Sequence, residues 1–186
     1  MMEIKKVFIA GAGLMGSGIA QVCAQAGLEV ILGDIGLEVL EKATKNIAWS
    51  AGKLIEKGKA AGPLEAVMGR VATTTDIGRA AEADLCLEAV FEKLEVKQEI
   101  FARFDTAARP EALLASNTSA ISISTLAAGT RRPEKVLGLH FFSPAPMMEA
   151  VLGAPGRRGG LAQSVRLSGQ DAGDVVRPIG VMLSEP

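Results

Sequence analysis

Apolar residues recur along this chain at two spacings. Val7-Phe8-Ile9-Ala10 is a short apolar run that stops at a glycine, and residues 14–26 then place Leu14, Met15, Ile19, Val22 and Cys23 at helical intervals. The pair predicts strand, turn, helix. Residues 29–32 repeat the strand pattern and end at Gly33-Asp34, after which Leu37, Leu40, Ala43, Ile47, Leu54 and Ile55 recur among lysines and glutamates. That spacing predicts a long amphipathic helix over 37–57, broken at Gly58. Gly62-Pro63 punctuates the chain and starts a short helix with proline in its first turn. Further strands are predicted over 71–74, 85–90, 113–115 and 136–142, and an amphipathic helix over 94–104. Ser143-Pro144-Ala145-Pro146 must leave regular structure, because two prolines lack amide donors.

Strands alternating with helices predict an α/β fold, a doubly wound and mainly parallel sheet with a long helical excursion after the second strand. After about Ala150 the pattern fades: Gly153, Gly156, Gly159, Gly160 and Gly169 with Arg157 and Arg158 leave little periodicity up to Val175-Val176. Residues 1–150 therefore read as one domain and 151–186 as an irregular, divergent tail, a surface arm or a disordered one.

Composition narrows the partners. The chain has 186 residues and a formal charge of -1, so it has no basic excess with which to neutralise a nucleic-acid backbone. Cys23 and Cys86 lie inside apolar segments without metal-ligand spacing or a disulfide framework, which points to a reducing compartment and to no metal. Lys5-Lys6, an apolar stretch and Ala24-Gln25-Ala26 imitate a secretory signal, but glycines at 11, 13, 16 and 18 interrupt it. No uninterrupted apolar run reaches about 18 residues, so no membrane span is expected and the protein is expected to be cytoplasmic.

Those glycines have a better explanation. Gly11-Ala12-Gly13-Leu14-Met15-Gly16, followed by Ser17 and Gly18, joins a strand to a helix and matches the dinucleotide fingerprint of Rossmann-type folds. Gly11 permits the tight turn, Gly13 lets the backbone approach a pyrophosphate, and Gly16 lets the helix pack on the sheet. The phosphates would meet the positive end of that helix. Asp34, 21 residues after Gly13, ends the second strand where a carboxylate accepts hydrogen bonds from both adenosine ribose hydroxyls. It would repel the 2'-phosphate of NADP, and no arginine follows to receive one, so NAD is favoured. The plainer role for Asp34 is to cap the helix before Leu37.

His140, the only histidine, lies where a parallel strand is about to end, the edge at which open α/β sheets bind ligands. It suits a general base for an alcohol, although a histidine beside Phe141 and Phe142 also serves as a structural residue. Ser116-Asn117-Thr118-Ser119 brings hydroxyls and an amide to the same edge, or else caps a helix near Ser122.

Gly11 to Gly18, Ser116 to Ser119 and His140-Phe141-Phe142-Ser143-Pro144 stand in the order found in 3-hydroxyacyl-CoA dehydrogenases, which the sequence resembles from about Ile4 to Glu149. The resemblance implies an oxidoreductase that interconverts L-3-hydroxyacyl-CoA and 3-oxoacyl-CoA with NAD, in fatty-acid β-oxidation or butanoate metabolism. By position, it implies that His140 is the base and that Ser119 hydrogen-bonds the reacting oxygen. It places Glu92, Lys97 and Ser143 near the nicotinamide half of NAD, and Ser50, Lys57 and Ser119 against coenzyme A. Taken alone, Lys57 reads as a solvated helix face and Glu92 as a carboxylate favourable to a helix start.

Three departures qualify the expectation. Leu152 stands where the family has a glutamate paired with the catalytic imidazole; Glu149 is the nearest carboxylate in sequence, and Ser143 replaces an asparagine. The family's helical C-terminal domain, which closes over acyl-CoA and forms most of a homodimer, has no recognisable counterpart after Ala150. The chain is therefore expected to be a fragment or a frame-shifted product, with a non-catalytic NAD-binding domain as the alternative to an active enzyme.

Overall fold

The computed structural model describes residues 3–60, 62–147, 151–155 and 166–167, the last two stretches through their backbone. Six parallel strands form the body of the sheet: β2 (Lys6–Ala10), β3 (Glu29–Gly33), β4 (Val71–Thr74), β5 (Leu85–Glu88), β6 (Leu113–Ser116) and β7 (Val136–Phe141). A seventh, β8 (Val151–Pro155), joins antiparallel to β7, giving the order β4-β3-β2-β5-β6-β7-β8. A short β1 (Glu3–Ile4) pairs separately with β9 (Arg166–Leu167). The helices are α1 (Leu14–Gln25), α2 (Leu37–Glu56), α3 (Leu64–Met68), α4 (Leu94–Ala107) and α5 (Ile123–Ala128). No helix among the described residues is long and apolar enough to cross a membrane.

The apolar strand runs are explained by a sheet covered on both faces. Along β2, Val7 and Ile9 enter one core with Ile19, Leu32, Leu40 and Ile47, against α1 and α2. Phe8 and Ala10, alternating with them, enter a second core with Phe101, Phe104, Leu114 and Leu126, against α4 and α5. Phe8 and Phe104 meet edge to face, 5.8 Å between centroids. Strand polarity then follows from the crossovers, since each helix returns the chain to start the next parallel strand.

Element boundaries differ from the sequence pattern where side chains capture the backbone. The strand expected over 85–90 stops at Glu88, whose own carboxylate accepts the Val90 amide at 2.7 Å and turns the chain out of the sheet. A 3-10 turn over Ile77–Glu82, unforeseen in the pattern, starts where Asp76 accepts the Gly78 amide. The sheet also continues past residue 150, because β8 adds itself to β7 in a stretch whose glycine and proline hide any strand alternation.

At the amino ends of the strands, acids hold the chain by charge-assisted bonds. Asp84 accepts the amides of Lys5 and Lys6 at 2.8 and 2.9 Å and the Arg109 guanidinium at 2.6 Å. Asp105, on α4, accepts from Arg131 and Arg132. Burial alone would raise both pKa values, but the amides and guanidiniums outweigh it and hold both carboxyls below the usual aspartate value. A depressed folded-state pKa contributes stability that is fully present above the unfolded value and is lost as pH falls through the folded one. Thermal melts should hold a constant Tm down to about pH 5 and fall below about pH 4. Asp105→Asn should lower Tm at pH 7 by about 5 °C, the equivalent of about 2 kcal/mol, and shrink that acid drop.

Candidate NAD site and catalytic edge

The carboxyl ends of β2 and β5 are neighbours whose onward connections leave in opposite directions, so a crevice opens between them at the switch point of the sheet. Gly11 fills its floor. It has φ +99, a conformation open to glycine, and a Cβ there would stand 2.7 Å from the Ala89 carbonyl oxygen. Gly16 has no freedom either, because a Cβ would lie 1.7 Å from the Gly11 oxygen. Gly13 is different: a Cβ would meet nothing within 4 Å, so the protein itself leaves this space open. No side chain caps α1, whose first-turn amides face the crevice. Open space over Gly13 and uncapped amides behind it fit a pyrophosphate.

Asp34 braces this turn. Its Oδ2 accepts the Ala12 amide at 2.8 Å and its Oδ1 the Gly36 amide at 3.2 Å. The second bond steadies the approach to α2, but the first ties the carboxylate to the glycine turn. A carboxylate has about four acceptor positions, so two remain for ribose hydroxyls. Beside it, Leu37, Leu40, Glu41, Thr44, Lys45, Thr73 and Thr74 line an open groove of about 440 Å³.

Other expected cofactor residues fall into two groups. Leu14 is 77% exposed and Met15 partly buried at the helix start. Ser17 and Gly18 turn inward instead: the Ser17 hydroxyl donates to the Gly13 carbonyl at 2.8 Å, and a Cβ on Gly18 would touch Ala145 and Pro146.

The candidate catalytic edge lies on the other side of the switch point. Glu88, Ser116 and Gly138 are level across β5, β6 and β7, and His140 is two residues further along β7. Even spacing puts His140 on the face that carries Glu88 and Ser116. His140 is half-buried, its ring 4.9 Å from that of Phe142. Asn117 Oδ1 accepts the Phe141 amide at 2.8 Å, tying the end of β6 to the strand that bears the histidine. Ser119 and Ser143 are exposed beyond these strand ends. The helix cap near Ser122 is made by Ser122 itself, which accepts the Thr125 amide.

Glu92 does not act as a helix-start carboxylate. Its Oε1 accepts the Thr118 hydroxyl and the amides of Ser119 and Ala120, at 3.1 and 3.2 Å for the amides, and its Oε2 lies 3.1 Å from Lys97 Nζ. Partial burial would raise its pKa, but these donors hold it below the usual glutamate value. Lys97, expected near the nicotinamide half of NAD, is 1% exposed, and its ammonium is paired with Glu88 and Glu92. Glu88 itself was missed by the pattern, although a lone acid in the apolar run Leu85 to Val90 was a signal that some buried cation faces it.

Ser50, expected against coenzyme A, lies within α2. Lys57 is exposed just past the last turn of α2, about 30 Å along the helix from Leu37. No hydrogen bond or ion pair among the described residues joins either to the Ser119 turn. Glu149 lies outside the described residues. In the antiparallel ladder, position 152 stands directly opposite His140, and it is leucine.

This crevice and edge define a nicotinamide-dinucleotide-binding domain of the dehydrogenase kind. Residues 6–154 match the family of 3-hydroxyacyl-CoA dehydrogenase NAD binding domains, and the chain belongs to that family. It is 43% identical over 146 residues to a probable 3-hydroxybutyryl-CoA dehydrogenase of Deinococcus radiodurans, covering 78% of this chain and 52% of that protein. Over 155 residues it is 40% identical to the mitochondrial hydroxyacyl-coenzyme A dehydrogenase of Sus scrofa, covering 80% and 49%. The crystal structure of (S)-3-hydroxybutyryl-CoA dehydrogenase from Ralstonia eutropha superposes with a TM-score of 0.80 at 37% identity, over 83% of this chain and 55% of that one. The chain thus spans about half the length of these relatives.

The glycines separate two kinds of defect. Gly16→Ala should destabilise the fold by about 3 kcal/mol through the clash with the Gly11 oxygen. Gly13→Ala should cost about 1 kcal/mol or less yet weaken NAD binding at least tenfold. Chemical denaturation alongside calorimetric NAD titration checks both.

Proposed function

We propose that this chain carries the NAD site and the acid–base residues of an enzyme interconverting L-3-hydroxyacyl-CoA and 3-oxoacyl-CoA. The observation that supports this most is the convergence of His140, Ser116 and the Ser119 turn at one sheet edge, next to a crevice whose glycines and Asp34 fit NAD. The relatives' names supply the substrate class. Residues 1–150, extended by β8, form the NAD-binding unit, and the residues after it the divergent tail. It works in the cytoplasm on an acyl-CoA substrate, with neither nucleic acid nor membrane as partner.

Bound NAD supplies the hydride acceptor, the chemistry side chains cannot perform. The α1 amides and the open face of Gly13 hold the pyrophosphate, and Asp34 the adenosine ribose. His140 takes the proton of the substrate hydroxyl during oxidation and returns it during reduction. The Ser119 hydroxyl, which has no hydrogen-bond partner among the described residues, donates to the substrate oxygen and orients it. Ser143 stands by the same edge. Ser50 and Lys57 reach coenzyme A from α2, the lysine ammonium pairing with a phosphate.

A second reading rests on position 152. With leucine opposite His140, the imidazolium formed in the oxidation has no carboxylate partner from that strand, which favours an NAD-binding domain that turns over slowly or not at all. One assay separates the two: consumption of NADH with acetoacetyl-CoA. The enzyme reading expects turnover that falls at least 100-fold in His140→Ala and rises about tenfold in Leu152→Glu. NAD binding with no turnover in either the natural chain or Leu152→Glu would leave only the cofactor-binding reading.

A further inference from the structure

The most completely buried charges in the described structure are next to the catalytic edge. Glu88 is fully buried and Lys97 is 1% exposed, with 2.6 Å between Oε1 and Nζ. Such a pair is costly to desolvate and gives little net stability compared with apolar residues of the same volume. Its connections indicate what it does instead.

Glu88 ends β5 on the face covered by α4, where Lys97 is the first buried side chain. Its Oε1 accepts the Lys97 ammonium and the Val90 amide, and its Oε2 accepts the Ser116 hydroxyl at 2.7 Å. The backbone carbonyl of Glu88 also accepts the Asn117 amide at 2.9 Å. One residue thus fixes both the end of β6 and the ammonium. Lys97 has a second acceptor, Glu92 Oε2 at 3.1 Å, and Glu92 turns its other oxygen to the Thr118 hydroxyl and to the amides of Ser119 and Ala120. Thr118 completes the turn by accepting the amides of Ala120 and Ile121. Every hydrogen bond that reaches the Ser119 backbone from a side chain therefore comes from Glu92, and the cation that holds Glu92 in place is fixed by Glu88.

We propose that the buried Glu88–Lys97 pair is a positioning device for Ser119: Lys97 anchors Glu92 against the Ser119 and Ala120 amides, and Glu88 anchors Lys97 and Ser116, so that the Ser119 hydroxyl is presented beside the His140 strand. Neither Glu88 nor Lys97 touches substrate. The device has its catalytic meaning under the proposed dehydrogenase reading, but its structural action is measurable without turnover.

The test is Glu88→Gln/Lys97→Met in the full chain, which removes both buried charges together and preserves side-chain volume. Amide hydrogen exchange is compared at Ser119 and Ala120 and, as internal reference, at Phe8 and Ile31 in the sheet. The proposal expects unchanged exchange in the sheet and at least tenfold faster exchange at Ser119 and Ala120. In an active chain, kcat falls at least tenfold. Wild-type exchange at Ser119 and Ala120 in the folded double variant overturns the proposal. Should the double variant not fold, Glu92→Ala at the surface decides: fast exchange at those amides supports the device, and unchanged exchange overturns it. Absence of turnover in the natural chain bears on the dehydrogenase reading alone, since the exchange result stands apart from it.

Discussion

Six strands running in one direction deliver their carboxyl ends to a single edge, and the proposed chemistry depends on that constraint. Each crossover helix forces the next strand to start at the far side and finish at this one. The glycine turn after β2, Asp34 after β3, Glu88 at the end of β5, Ser116 at the end of β6 and His140 near the end of β7 are thus neighbours in space though widely separated in the chain. The edge divides by chemistry at the switch point. On the β2–β3 side, amides and a carboxylate surround open space suited to phosphates and ribose. On the β5–β7 side, buried acids and a lysine support exposed hydroxyls and an imidazole.

Support is the theme common to both halves. Asp34 accepts the amides of Ala12 and Gly36, so the residue proposed to hold the ribose also stiffens the glycine turn. Glu92 likewise bonds to the Ser119 backbone while lying on a half-exposed surface. In each case a carboxylate that reads in sequence as a ligand contact or a helix cap has a local partner that fixes its geometry before any ligand arrives. Preorganisation of this kind lowers the cost of ordering the site on binding.

Much of this was legible in the sequence because it rests on period and punctuation. The alternation of apolar runs with helical spacing located β2 to β7 and α1 to α4, and the fingerprint from Gly11 to Gly16 located the crevice. What escaped depended on side chains meeting across the fold. The partner of Lys97 is hidden in sequence until Glu88, nine residues earlier, is placed under α4. The packing of Ala145 and Pro146 on Gly18 is hidden in the same way, because it depends on the chain returning against α1. β8 was unreadable for a different reason: its glycine and proline carry no apolar alternation, and its pairing comes from β7. The exchange of glutamate for Leu152 was visible only through the family resemblance, and the ladder shows why it matters, since position 152 faces His140.

If the glycine turn and Asp34 form a cradle selective for NAD, a calorimetric titration of this chain with NAD and with NADP reads that selectivity. One NAD site and at least tenfold weaker binding of NADP are expected, because the Asp34 carboxylate repels a 2'-phosphate. Binding of NADP as tight as that of NAD, or binding of neither, would contradict it.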